Sequence, residues 1–148
     1  MATKLHDHFK EFLRLLNDHG VEYLLIGGYA VGLYGYPRAT MDLDLWISAS
    51  PENARNVSAA MQAFGFPPGS VPPSAFQDPD AIFRMGLPPV RIELSTSISG
   101  VQFADCWPRA ARKMLDGLPV RVIGLADLKI NKRASGRHKD LDDLEHLP

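Results

Sequence analysis

Apolar residues recur at helical spacing near the start of the chain. Leu5, Phe9, Phe12, Leu13 and Leu16 predict an amphipathic helix over Lys4 to Asn17, stopped at Gly20. Val21 to Ile26 is a short run of strand formers, broken by Gly27-Gly28, and Tyr29 to Tyr34 reads as a short helix. Leu43, Leu45 and Ile47 alternate with Asp42, Asp44 and Trp46, which predicts a strand with one apolar and one mixed face. Ser50-Pro51-Glu52 is a helix start: a capping hydroxyl, a proline at the first position and an acid in the first turn. Ala54, Val57, Met61 and Phe64 supply that helix with its apolar stripe, and Gly65 ends it.

From Phe66 to Asp80 the chain holds five prolines and no periodicity, so a long loop is expected. Ile82 to Met85 and Val90 to Ser95 predict two strands joined by a Gly/Pro turn. The second places Val90, Ile92 and Leu94 on one face and Arg91, Glu93 and Ser95 on the other. Gly100 to Arg112 reads as a loop and one helix, and Leu118 to Ile123 as a further strand. Leu125 to Ser135 and Lys139 to Leu147 predict two helices split by Gly136. No internal repeat or domain boundary is visible, so residues 1–148 are expected to form one domain. The element order predicts an α/β (α+β) fold, with a small mixed sheet and flanking helices. Hairpin connections between some strands argue against a fully parallel sheet.

The composition is that of a globular domain: 148 residues, 45% hydrophobic and 22% charged, with a net charge of −1. That excludes a disordered tail, and it supplies no global field to attract nucleic acid or an anionic membrane. Any basic site must be local. A single cysteine, Cys106, cannot form an internal disulfide and reads as a core residue, which fits a reducing cytoplasm. The histidines make no H-x-x-x-H pair, so a structural zinc site is not expected. The most apolar stretch, Tyr23 to Tyr36, has 14 residues and four glycines. A membrane span needs about 20 apolar residues, so this is a buried element of a soluble, cytoplasmic protein. Trp46 and Trp107 read as core rather than as base-stacking residues.

The candidate chemistry centres on Gly27-Gly28, followed after thirteen residues by Asp42-Leu43-Asp44. On a strand, residues i and i+2 project from one face, so Asp42 and Asp44 point the same way. Two carboxylates about 4 Å apart repel by roughly 4 kcal/mol at an effective dielectric of 20. Such a pair is either a solvated face of an edge strand or a site for a hard cation, Mg²⁺ or Mn²⁺. The glycine pair sits where a strand hands over to a helix, which suits either a tight turn or a close approach of backbone to phosphate. It is neither the dinucleotide fingerprint nor a Walker A loop.

Together these pieces resemble the nucleotidyltransferase superfamily typified by DNA polymerase β. Its signature is an apolar residue, a glycine pair, a spacer and D-x-D flanked by apolar residues. Here it reads Ile26-Gly27-Gly28 and Asp42-Leu43-Asp44-Leu45. The longer string GGYAVGLYGYPRATMDLDLWI looks like the branch of small bacterial proteins that includes AbiEii-type toxins and minimal nucleotidyltransferases. The C-terminal string NKRASGRHKDLDDLEHL is similar to that branch as well.

The resemblance implies that Gly27 and Gly28 hold a nucleoside triphosphate, and that Asp42 and Asp44 bind two metals. A third carboxylate on a later strand completes such a site, and Glu93 is the candidate. The family more often has Asp there. The other reading of Glu93 is a partner for Arg84 or Arg91 across the hairpin. R-x-T-x-D-x-D implies that Arg38 meets phosphate and Thr40 orients a carboxylate; otherwise these are a solvated Arg and a strand-forming Thr. Lys129, Lys132 and Arg133 fall on one helical face, with Arg137 and Lys139 beyond Gly136. Of these, Lys132, Arg137 and Lys139 are the candidate nucleotide-binding cations, and removing Lys132 or Arg137 is expected to weaken binding without unfolding the protein. Asp140 and Asp143 are candidates to anchor the cations.

The function so implied is Mg²⁺- or Mn²⁺-dependent nucleotidyl transfer from a nucleoside triphosphate to RNA, protein or a small molecule. The alternatives are a catalytically weak nucleotide- or protein-binding module, acting with a cognate toxin or antitoxin, and an antibiotic nucleotidyltransferase acting on a hydroxylated drug.

Overall fold

The computed structural model describes residues 4–37 and 42–148; Arg38 and Thr40 lie outside them. The chain runs α1 (Asp7–Asp18), β1 (Tyr23–Ile26), α2 (Gly27–Leu33), β2 (Leu43–Ile47) and α3 (Pro51–Phe64). A 3₁₀ turn at Pro73–Phe76 precedes β3 (Ile82–Leu87) and β4 (Val90–Ser95). The short helix α4 (Phe103–Cys106) and a 3₁₀ turn at Trp107–Arg109 lead into β5 (Ala111–Leu115), β6 (Leu118–Val122), α5 (Leu125–Ser135) and α6 (His138–His146).

The six strands form one mixed sheet in the order β3-β4-β2-β1-β6-β5. β1 pairs antiparallel with β2 and parallel with β6, while β2 runs parallel to β4. The hairpins β3–β4 and β5–β6 form the two edges. The expected mixed α/β sheet is therefore present.

The alternation along β2 decides which face is buried against what. Tyr23 faces Ile47 across β1–β2, and its hydroxyl donates to Asn17 of α1 at 2.9 Å. Leu43, Leu45 and Ile47 thus turn toward the α1 side, and none of them is exposed. Phe12, Leu13 and Leu16 of α1 are equally dry, each contributing roughly 1.5–3 kcal/mol of burial. Phe12 meets Phe64 of α3 edge-on, at 5.1 Å between ring centroids. α3 begins as expected: Ser50 Oγ accepts the Asn53 N–H at 3.2 Å and Pro51 occupies the first turn. The opposite face of the sheet carries Asp44 and Trp46.

Several elements depart from the sequence expectation; α2, for one, begins at Gly27 rather than Tyr29. α1 begins at Asp7 rather than Lys4, although Leu5 is still buried. The strand β5 occupies Ala111–Leu115, where a loop and one helix were expected to extend through Arg112. Its exposed Arg112 and Met114 hide the strand periodicity, and its Lys and Arg suit an edge that must not pair with another chain. Cys106 is fully buried and Trp46 is 1% exposed, both as expected; Trp107 is only half-buried.

Candidate active site

Four strands place one row of side chains across the middle of the sheet. Ile26 lies opposite Asp44, Asp44 beside Glu93, and Glu93 opposite Arg84. Adjacent strands are about 4.8 Å apart, so Asp44 and Glu93 are lateral neighbours. Asp42 projects from the same face two residues before Asp44. Gly27 follows Ile26 with φ of +67°, a conformation that favours glycine. A Cβ at Gly27 would also overlap the Asp44 carboxylate. The glycine therefore lets the backbone at the start of α2 lie against that acid.

Two arginines hold the outer carboxylates. Arg91 donates to Asp42 Oδ2 from Nε at 3.0 Å and from Nη2 at 2.6 Å. Arg84 Nε donates to Glu93 Oε2 at 2.9 Å. Asp44, in contrast, has no cation bonded to it among the described residues. Its pKa is raised from 3.8 to about 6, first by burial and then by the negative charges of Glu93 and Asp42; the more distant Lys139 and Lys132 pull it back.

These acids line a cavity of about 640 Å³ together with Gly27, Asn131, Lys132, Arg137 and Lys139. Most of the sequence-predicted site residues meet here. Gly28 is buried in α2 behind Gly27. Arg38 and Thr40 fall outside the described residues.

Lys132 is a correction to the expectation of an open cationic face. It is 4% exposed, and its ammonium pairs with Asp140 at 3.1 Å and Asp143 at 3.0 Å. Arg137 bonds Asp140 through Nε at 2.8 Å. Burial pushes the Asp140 carboxyl up, but the bonds from Arg137 and Lys132 prevail and hold it below its ordinary range. Lys129 reaches the Pro148 carbonyl instead of the cavity. Asp140 and Asp143 thus act as the anchors that the sequence suggested. Lys139 is exposed, and it keeps an ammonium free of ion pairs among the described residues.

The sequence reading placed Ser95 on the polar face of β4 but missed Ser97 and Ser99, which complete a serine rim of the cavity. The signal was present, since these two continue the alternation of Arg91, Glu93 and Ser95 beyond the strand. Arg84 and Arg91 were considered only as partners for Glu93; Arg91 in fact bonds Asp42.

The chain matches the model of a protein family described as nucleotidyl transferase of unknown function (DUF2204) over residues 5–148. It belongs to that family. A search of curated proteins gave no match. Among solved structures, the fold is similar to that of a lincosamide antibiotic adenylyltransferase, LnuA, in its lincomycin-bound crystal structure. The two share 12% identity with a TM-score of 0.56, over 95% of this chain and 94% of that one. At that identity the likeness concerns the fold. The nucleotidyltransferase resemblance read from Gly27-Gly28 and Asp42-Leu43-Asp44 is therefore upheld at the level of the family.

The donor set suits a hard divalent cation. Asp42, Asp44 and Glu93 offer only carboxylate oxygens, and Asp44 is a half-buried acid whose charge is disfavoured by two like charges. With Asp42 on Arg91 and Glu93 on Arg84, no three His, Cys, Asp or Glu side chains among the described residues are grouped as a metal cage. A cation held there would share Asp42 and Glu93 with the guanidinium groups, each of which is bonded to one carboxylate oxygen. No helix among the described residues is long and apolar enough to cross a membrane.

Proposed function

We propose that this protein transfers a nucleoside monophosphate from a nucleoside triphosphate to an acceptor hydroxyl, with Mg²⁺ or Mn²⁺ as cofactor. The observation that carries this reading is the row Gly27–Asp44–Glu93, with Asp42 on the same face, at the floor of a cavity reached by Lys139 and Arg137. Asp42, Asp44 and Glu93 would hold the cation. When bound, it supplies charge stabilisation at the reacting phosphate and acidifies the acceptor hydroxyl.

The acceptor oxygen forms a bond to the α-phosphorus, and the bond from that phosphorus to the bridging oxygen breaks. Pyrophosphate leaves with the electron pair. Glu93 takes the acceptor proton as general base. Lys139 and Arg137 steady the triphosphate, and the backbone at Gly27-Gly28 lies against it. Arg38 and Thr40 keep the phosphate-binding and carboxylate-orienting roles that the motif implies. The acceptor is RNA, protein or a small molecule; the lincosamide adenylyltransferase of similar fold favours the last.

The test uses each α-labelled triphosphate in turn with Mg²⁺ or Mn²⁺, the purified protein, and total RNA, protein and small-molecule extracts. Label should move into one fraction. Glu93→Gln should leave triphosphate binding nearly intact and cut transfer by about 10²-fold or more, the lower end of what acid–base groups supply. Glu93→Asp should be tolerated. If neither the wild type nor Glu93→Asp transfers label, catalysis is refuted. The protein is then a nucleotidyltransferase-fold binding module, for which a toxin–antitoxin partner is the reading that remains.

A further inference from the structure

A second cavity, of about 540 Å³, opens on the same face of the sheet. Trp46 forms its wall, one step along β2 from Asp44. Ser97 and Ile98 line both cavities, so the two are neighbours that share a wall. The volume lies within the roughly 300–1,000 Å³ usual for small-molecule sites.

The walls are aromatic and fixed. Trp46 is 1% exposed and its indole N–H donates to the Thr96 carbonyl at 3.2 Å. Phe103 meets Trp46 edge-on at 5.2 Å and stacks with Trp107 at 5.6 Å. Arg121 sits 4.7 Å from the Trp107 ring centroid and fixes that ring in turn.

The charge in this cavity is a lone carboxylate. Among the described residues, Glu22 is the only charged one in its lining, which holds no Lys or Arg. Its backbone is bolted down, because Asn53 accepts the Glu22 N–H at 2.7 Å and donates to the Glu22 carbonyl at 3.0 Å. No cation among the described residues pairs with its side chain. Glu22 lies next to Ser48, whose N–H donates to the Glu22 carbonyl at 3.3 Å. Ser48, just past the end of β2, is four residues from Asp44, so the two lie about 13 Å apart along the strand direction.

We propose that this aromatic cavity is the acceptor site, and that the acceptor is a small molecule with an apolar body, a hydroxyl at the Asp44–Glu93 end and a cationic amine held by Glu22. The proposal rests on the transfer reading above. An apolar lining around a carboxylate that pairs with no cation among the described residues selects a cation with an apolar frame. The same carboxylate, with no basic residue beside it, repels a nucleic-acid backbone.

The test separates binding from transfer. Thioflavin T, an aromatic cation, and anilinonaphthalene sulfonate, an aromatic anion, are titrated into the purified protein and followed by fluorescence. Thioflavin T should saturate one site and the anion should bind far more weakly. Glu22→Gln should weaken thioflavin T by roughly tenfold or more, as expected for a hydrogen-bonded charge, and Trp107→Ala should weaken it as well. Asp44→Asn should bind it like the wild type while losing transfer. In the transfer assay, label should enter hydroxylated amines and not their N-acetylated counterparts. If transfer fails everywhere but thioflavin T binding still depends on Glu22, the pocket stands and the transfer reading falls. If both dyes bind alike, or neither binds, or Glu22→Gln binds like the wild type, the proposal is overturned. Label entering RNA or protein at a rate that Glu22→Gln does not change overturns it too.

Discussion

Replacing Asp44 with asparagine should make the metal-free protein more stable at neutral pH, although it removes a residue central to the proposed chemistry. Asp44 titrates at about 6 instead of 3.8, because burial and the charges of Glu93 and Asp42 disfavour its ionised form. The folded chain therefore keeps a proton that the unfolded chain has released between those two values. Stability must fall as pH rises through that window and level off above it. The difference is about two units, or about 3 kcal/mol. Asparagine has no charge to bury but still leaves an amide to satisfy, so the expected gain at pH 8 is on the order of 1–3 kcal/mol. For a chain of this length that is a rise of roughly 3–10 °C in Tm.

The assay is thermal or urea unfolding of both proteins with chelator present, from pH 4 to pH 8. The other titrating groups are shared by the pair, including Asp140, whose lowered pKa makes it lose stability toward acid. The difference between the two proteins therefore isolates Asp44. The gap should be near zero at pH 4 and should open through pH 6. Millimolar Mg²⁺ or Mn²⁺ should narrow it by stabilising only the wild type. A gap no wider at pH 8 than at pH 4 would show that Asp44 is not a strained acid.

Gly27→Ala combines a positive φ with an overlap on Asp44, so it should lower Tm and reduce transfer more than the same change at Gly32, where a Cβ meets nothing. Lys132→Ala should cost on the order of 3 kcal/mol in urea unfolding, because it removes the ammonium that the buried Asp140 and Asp143 carboxylates share. Lys139→Ala should leave stability within about 0.5 kcal/mol and weaken triphosphate binding at low salt. Arg91→Leu should tighten Mn²⁺ binding, read by the loss of free-ion paramagnetic signal, because the guanidinium no longer competes for Asp42 Oδ2. Unchanged Mn²⁺ affinity would show that the guanidinium does not compete with the cation for Asp42.

The sequence carried the parts of the fold that periodicity encodes. The two-faced alternation of β2, the cap at Ser50 and the Gly/Pro turn before Val90 all reappear in the structure. β5 stayed hidden because a short edge strand has little apolar face, and Arg112 and Lys113 interrupt what there is. The site was legible in its acids, since Asp42, Asp44 and Glu93 stand on polar strand faces that lateral pairing brings together. The cations were harder. Lys129, Lys132 and Arg133 share one helical repeat, but only the docking of α6 on α5 shows that Lys132 points inward onto Asp140 and Asp143. The aromatic cavity was out of reach for a similar reason: Glu22, Trp46 and Phe103 come from three distant segments.

The charge balance of the cavity suggests an order to binding. The α5–α6 unit is internally neutral, with Lys132 and Arg137 set against Asp140 and Asp143. It offers little attraction to a triphosphate before anything else changes. Asp42 and Glu93 each hold an arginine, which leaves Asp44 as the uncompensated charge. Arg84 and Arg91 are each bonded to one oxygen of their carboxylates. Under the proposed function, Asp42, Asp44 and Glu93 would hold a divalent cation whose two charges would offset two of their three. That would lower the repulsion a triphosphate meets at the cavity floor, so triphosphate binding should strengthen when Mg²⁺ or Mn²⁺ is added.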